Sequence, residues 1–328
     1  MELPSTCNTL LMLISVVVPT RNRPADVARL LPTIGAQTRL PDQLVVVDQG
    51  ADDSTESASR AVMGTQLDER CTYIRDSGIR GASAARNVGI SHATGDVVVF
   101  LDDDVLLSPD CLAELERAFL VNPDYAGIGG VELQMEEAKR SYILYYDLFF
   151  VGPFRDRKYA ISRNWRRLRG VQPVTALKTC LAGFRRDFLA RNRFDERWRS
   201  ALLEDVELCW RVRGRERFGI WPQASAWHSI SESRTGGRAG YRATGAAWIF
   251  FLKSVFRRQW PVLPFYLWLW VGLWVNAARR CIVTRSLDPG IGLFEGGLSL
   301  FYPSLATPFI DSTAVAFPEN TAYAVERS

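Results

Sequence analysis

The chain has 328 residues, 47% of them hydrophobic and 23% charged, a balance typical of a globular protein and long enough for one large α/β domain with additions or two medium ones. Those values exclude a disordered tail, a collagen-like fibre and a polytopic transporter. The formal net charge is only +4, but it is unevenly spread: residues 1–154 carry 12 basic and 22 acidic side chains, whereas residues 155–217 carry 18 and 8. Of the 40 basic residues only Lys139, Lys158, Lys178 and Lys253 are lysines, so the positive field consists of planar guanidinium forks suited to carboxylates and phosphates.

In chain order, the apolar run beginning at Leu10 has no basic residue before it and ends in Pro19-Thr20-Arg21-Asn22. It reads as a buried strand over 13–19 rather than a secretory leader, which places the chain in the cytoplasm. A helix is predicted over 25–37, with Val27, Leu30, Leu31 and Ile34 on one face, followed by a strand over 44–48 (LVVVD) and a polar stretch over 49–54. Residues 72–75 read as a third strand, 83–93 as a helix and 95–101 (GDVVVFL) as a fourth strand, after which Pro109 opens a helix to about Val121. Strands alternating with helices predict a doubly wound, mostly parallel sheet, with ligands outside the carboxyl ends of its strands. Three strand exits carry Thr20-Arg21-Asn22, Asp48 and Asp102-Asp103-Asp104. These clusters describe one site.

Residues 126–228 read as mixed α+β and Arg-rich. Arg163, Arg166, Arg167 and Arg169 form a basic face there, solvated or in contact with phosphate or anionic lipid. Residues 259–278 hold no charge, include Trp260, Trp268, Trp270 and Trp274, and are fenced by Arg257-Arg258 and Arg279-Arg280. That length suits a membrane span, and the tryptophans, Pro261, Pro264 and the Arg pairs suit a helix lying in the interface; both readings stay open. From Asp288 onward the chain reads as loosely ordered. Six scattered cysteines without a C-x-x-C pair, and only two histidines, exclude a structural zinc site and a disulfide framework. RNA binding is excluded by the lack of a recognisable module with interleaved aromatics.

Three adjacent carboxylates after five apolar residues repel one another, and a divalent cation with a taste for hard oxygen ligands, Mg²⁺ or Mn²⁺, is the natural compensation. Such a cation can bridge the phosphates of a nucleotide and stabilise a departing diphosphate. In the second half, Leu203-Glu204-Asp205-Val206-Glu207-Leu208 opens a helix whose acids suit its N-terminus.

The strings ISVVVPTRNRPADVARLLPTIGAQT, LVVVDQGADDST and GASAARNVGISHATGDVVVFLDDDVLLSPDCL together resemble family 2 glycosyltransferases of the GT-A fold, and the resemblance runs over roughly residues 13–230. It implies an α/β GT-A domain with a Rossmann-like, mostly parallel sheet flanked by helices. A nucleotide-sugar half would cover 1–125, an acceptor half 126–235, and a membrane-associated helical region 236–328. By resemblance, Pro19, Thr20 and Arg21 line the base pocket, Asp48 contacts the base, and Arg86 and Asp103 lie by the nucleotide. Asp102 and Asp104 form the D-x-D pair, with Asp104 the metal ligand and Asp102 near ribose or metal. His228 matches a position of metal or phosphate ligands, and His92 is left a packing or surface role. Asp205 matches the catalytic base, with Glu204 beside it. Gln49 and Val105 depart from the family's pattern, each standing where an acid is common. The resemblance further implies inverting transfer from a nucleotide-diphosphate sugar, with Mn²⁺ or Mg²⁺, to a lipid-linked or growing saccharide at the cytoplasmic face of the inner membrane. The rivals are a non-catalytic sugar-nucleotide-binding assembly protein and a D-x-D phosphohydrolase. Leu106 and the lack of a suitably placed lysine argue against the second.

Overall fold

A computed structural model describes residues 12–137, 140–155, 157–199, 201–229, 237–255, 260–305 and 309. The N-terminal part of the run from Leu10, the pair Arg257-Arg258 and Gln259 lie outside these residues. The first half follows the predicted alternation: β1 (Ile14–Thr20), α1 (Pro24–Gly35), β2 (Gln43–Asp48), β3 (Cys71–Arg75), α4 (Ala82–His92), β4 (Val97–Leu101) and α5 (Cys111–Val121). Two short helices, α2 (Ser54–Val62) and α3 (Thr65–Asp68), occupy the polar stretch before β3. They bury only Thr55, Ser59 and Leu67, too little apolar periodicity to stand out in sequence. Every residue of β1 and β4 is buried, as expected of strands covered on both faces.

The chain continues through β5 (Val105–Leu107), β6 (Tyr125–Glu132), α6 (Arg140–Phe149), α7 (Lys158–Asn164), β7 (Gln172–Val174), β8 (Leu181–Arg185), α8 (Arg186–Arg191), α9 (Glu204–Arg211) and β9 (Arg217–His228). The described strands form one sheet in the order β3-β2-β1-β4-β8-β6-β9-β5, with β7 paired to β9. Its first four strands are parallel, and β8 runs antiparallel to both neighbours.

One geometric constraint decides the site. β5 lies four strand positions from β4, yet only Asp102, Asp103 and Asp104 separate them in sequence. A flat sheet would put the two strands about 19 Å apart, whereas the connection reaches about 14 Å at most. The sheet therefore curls, and the acid triplet is the seam at which it turns back. Val105 pairs with His228 in register, and Ser229 N–H donates to Asp104 O at 2.9 Å, which fastens the end of β9 to the triplet.

Beyond the sheet lie α10 (Gly237–Val255), α11 (Leu263–Thr284) and α12 (Asp288–Leu298). The expectation of a loosely ordered chain from Asp288 is corrected by α12 for residues 288–298, while residues 306–308 and 310–328 lie outside the described residues. Its glycines do not loosen it: Gly292 and Gly296 lie against the backbone of α10, and a Cβ on Gly292 would come within 2.1 Å of Arg238 O. They are close-packing positions. The spanning alternative for 259–278 gains no support, because among the described residues no helix is long and apolar enough to cross a membrane. The helix begins at Leu263 and runs on through Arg279 and Arg280, so its charge-free part falls short of the roughly 20 residues a span requires.

Candidate active site

The exits of β1, β2 and β4 converge as the sequence predicts, and the curled sheet adds the ends of β6 and β9. Asp103 is 4% exposed. Its Oδ2 accepts from Thr20 Oγ1 at 2.8 Å and its Oδ1 from Arg23 Nη1 at 2.9 Å. The same Arg23 atom donates to Asp104 Oδ2 at 3.2 Å. Burial pushes the Asp103 carboxyl up to about 6, against the opposing pull of Arg23 and Thr20. Asn22, between Thr20 and Arg23, takes a left-handed φ of 54°, which asparagine tolerates better than most residues.

His228 bridges two carboxylates. Its Nε2 lies 3.0 Å from Asp104 Oδ1 and its Nδ1 3.2 Å from Glu132 Oε2. Burial disfavours the charged ring, but the hydrogen bonds to Asp104, Cys180 and Glu132 outweigh it and push the imidazole up to about 12. Lys178 Nζ donates to Glu132 Oε1 at 2.7 Å. Although burial alone would raise the Glu132 carboxyl, Lys178 and His228 hold it well below the usual carboxylate range. Gln134 completes the network by donating to Glu132 Oε2 and accepting from His228 N–H.

Among the described residues, two groups of donors come close enough to share a cation: Asp102, Asp104 and His228, and Glu132, Cys180 and His228, with the ligand atoms of each group within 4.8 Å of one another. The first fits a hard divalent ion, because two carboxylates and an imidazole are the ligands such an ion takes. The second fits less well: burial pushes the Cys180 thiol up to about 11, which keeps it protonated, and Glu132 is already held by Lys178. Glu132 is better placed to orient His228 through Nδ1, leaving Nε2 to face Asp104.

The second acidic cluster lies at the start of α9 and is joined to the first by Arg86. This guanidinium, 2% exposed, donates through Nη1 to Glu204 Oε1 at 2.6 Å and through Nη2 to Asp102 Oδ1 at 3.2 Å. It also lies 5.6 Å from the ring centre of Phe194. Glu204 is 3% exposed and faces inward; burial pushes its carboxyl up to about 7, with Arg86 opposing and Asp205 adding to the rise. Asp205 is half-buried, and its Oδ2 and Oδ1 accept the backbone N–H groups of Thr179 and Val206 at 3.2 and 2.7 Å. Leu203, the residue before this helix, has φ 67°, a conformation that costs a leucine of order 1–3 kcal/mol and is held by its surroundings.

The remaining sequence-derived positions are Pro19, Arg21 and Asp48. Pro19 is buried in β1 and Arg21 is exposed at its exit. Asp48 is fully buried; its Oδ2 accepts from Tyr73 Oη at 2.9 Å and its Oδ1 from Gly50 N–H at 2.8 Å. Gln49 accepts from the N–H of Gly81 at 3.0 Å, so it holds the loop before α4 in place. A Cβ on Gly81 would meet the Arg199 backbone at 2.8 Å, and its φ is 90°. Arg23, Glu132 and Lys178 were missed in sequence. Glu132 had the same signal as the others, a carboxylate ending an apolar strand.

The family description "Glycosyl transferase family 2" matches residues 15–189. The chain belongs to that family. A glycosyltransferase of Haemophilus influenzae, described as uncharacterised, is 33% identical over 112 residues, covering 34% of this chain and 36% of that protein. The validoxylamine A glucosyltransferase of Streptomyces hygroscopicus subsp. limoneus is 39% identical over 99 residues, covering 30% of this chain and 21% of its own length. The chain thus spans about a third or less of these relatives. The mannosyltransferase PcManGT from Pyrobaculum calidifontis, solved with GDP-Man and Mn²⁺, shares the fold with a TM-score of 0.58 at 20% identity, covering 94% of this chain and 77% of that one. TarS 1–349 of S. aureus gives a TM-score of 0.53 at 15% identity, covering 90% and 82%. The GT-A fold of this family member accounts for the curled sheet and for a site at the strand exits.

Proposed function

We propose that this family 2 protein transfers a glycosyl group from a nucleotide-diphosphate sugar to a hydroxyl of a lipid-linked or growing saccharide, with inversion, at the cytoplasmic face of the inner membrane. The observation that carries the reading is the pairing of two acidic clusters through Arg86, one suited to a cation and the other holding a half-buried carboxylate. The donor half would extend over 1–125, the acceptor half over 126–235 and the membrane-associated part over 236–328. Pro19, Thr20, Arg21 and Asp48 would line the nucleotide pocket. Asp102, Asp104 and His228 would hold Mn²⁺ or Mg²⁺, which supplies positive charge to the departing diphosphate. That PcManGT was solved with GDP-Man and Mn²⁺ supports both the donor class and the cation.

Asp205 takes the proton of the acceptor hydroxyl as its oxygen bonds to the anomeric carbon, and the bond from that carbon to the diphosphate oxygen breaks. The two backbone N–H groups on Asp205 keep its carboxylate oriented, and Glu204, locked to Arg86, fixes the helix start that carries it. Kinetics and donor binding of two variants test the reading. Asp205→Asn is expected to lower turnover by at least ~10²-fold, as for loss of a positioned base, while leaving donor affinity nearly intact. Asp104→Asn is expected to abolish transfer and to weaken donor binding chiefly when the cation is present. Loss of donor binding in a folded Asp205→Asn protein would overturn the base, and near-wild-type activity of Asp104→Asn would overturn the metal site. A non-catalytic binding protein would release no nucleoside diphosphate from donor, even with Mn²⁺.

A further inference from the structure

Helix α11 turns one face to the core and the other to the surface. Tyr266, Leu269, Leu273 and Ala277 are buried on the inner face. On the outer face Trp268, Val271, Val275 and Ile282, at intervals of three, four and seven residues, line one helical stripe with Trp274 at its edge, all exposed. A helix that faces water carries polar groups on this side; here the first two-thirds of the stripe are apolar. Charge enters only at its end, with Arg279 and, at the cap, Arg285, both exposed. No Asp or Glu occurs anywhere in α11.

The stripe does not stand alone. Trp268 Nε1 donates to Leu148 O at 2.7 Å, and its ring centre lies 5.5 Å from that of Phe149, which joins α11 to α6. From α6, Leu144 (67% exposed) and Leu148 (51%) extend the apolar area. Helix α6 begins a few residues after Glu132 and Gln134, the two residues that hold His228.

We propose that this composite face of α6 and α11 docks on an anionic lipid surface, lying in the headgroup region and not crossing it. Indole rings at the edge of an apolar stripe favour that region, and the guanidinium groups at the end of the stripe complement anionic headgroups. The inference deepens the function proposed above, because it names the surface on which a lipid-linked acceptor would be met.

Co-sedimentation of the full chain with vesicles, without donor or acceptor, tests it independently of transfer. Binding is expected to vesicles of phosphatidylcholine mixed with phosphatidylglycerol, to be partly reversed by high salt, and to be weaker with phosphatidylcholine alone. The double substitution Val271→Asp and Val275→Asp, on exposed positions, is expected to weaken binding at least ~10-fold, by removing inserted apolar groups and adding repelled charges, with thermal stability and donor hydrolysis unchanged. Wild-type protein that ignores the mixed vesicles overturns the proposal, as does a double variant that still binds them. Self-association of the wild type, abolished by the same substitutions and without vesicle binding, would assign the face to a second copy of the chain instead. Loss of vesicle binding alongside intact donor turnover refutes this inference alone, whereas vesicle binding without turnover refutes only the catalytic reading.

Discussion

Asp102–Asp104 and Glu204–Asp205 are both runs of adjacent carboxylates, but the fold treats them differently. The first is a seam between two strands, where Thr20 donates a hydrogen bond and Arg23, Arg86 and His228 offset part of the charge. Two of its carboxylates remain within 4.8 Å of an imidazole nitrogen. The second opens a helix, with Glu204 sealed against a buried guanidinium and Asp205 held by backbone N–H groups. Chemically similar clusters thus end in different surroundings, which the proposed function reads as a place for a cation and a place for a base. What divides them is the direction from which compensation arrives: side chains from the exit of β1, from α4 and from β9 at the seam, the same buried Arg86 and the peptide backbone at the helix.

The largest test of this division is Arg86, whose guanidinium touches both clusters. Arg86→Met leaves Glu204 buried without its partner, and the expected loss of stability is about 3–5 kcal/mol, the usual scale for breaking a buried pair from one side. Chemical denaturation reads it. Arg86→Lys, which keeps the charge but cannot serve both acids with a planar fork, should recover stability only in part. A variant as stable as wild type would mean that the two clusters are not coupled through this residue.

A smaller effect separates the ligand from its support. Glu132→Gln keeps the shape but weakens the hold on His228 Nδ1, so Mn²⁺ affinity measured calorimetrically should fall ~10–100-fold, while the Asp205 cluster is unaffected. The same cluster predicts a pH dependence. The Asp103 carboxyl is raised from 3.8 to about 6 in the folded protein; between those values the folded state binds more protons than the unfolded one, so this contribution to stability is lost as pH rises. The His228 ring is raised from 6.5 to about 12, so its contribution is complete below about pH 6.5 and declines above it. A cation held by Asp104 and His228 must displace the His228 proton and, by its charge, opposes protonation of the neighbouring Asp103, so the increment that saturating Mn²⁺ adds to Tm should grow from pH 5 to pH 8. An increment that shrinks over that range would place the cation elsewhere.

The smallest expected effect is at Leu203. Its left-handed backbone would relax in Leu203→Gly, but the half-buried side chain packs against the core. The two contributions oppose each other, so stability should stay within about 1 kcal/mol of wild type, well short of the ~2–5 kcal/mol lost on truncating a core leucine. A larger loss, measured by denaturation, would show that packing and not strain governs the entry to α9.

Much of this was legible in the residues themselves. The runs LISVVVP, LVVVD and VVVFL declare buried strands because a doubly covered strand must be apolar on both faces, and the polar groups at their ends declare the site because parallel sheets bind at their carboxyl edges. Asp104 could be named as a candidate for that reason, and Asp205 and His228 through the resemblance to family 2 glycosyltransferases. The sequence could not show that three residues must join strands four positions apart, which curls the sheet and brings Glu132 and His228 to the triplet. Nor could it show that Arg86 is buried between Asp102 and Glu204, residues separated by about a hundred positions. In the C-terminal part, the chain from Asp288 read as loosely ordered, yet Gly292 and Gly296 are contact positions against α10, since a missing Cβ has meaning only once a neighbouring helix is in place. Local periodicity and strand chemistry act over a few residues and are written in the chain; sheet closure, charge compensation and helix contact depend on which distant segments meet, and only the tertiary structure decides that.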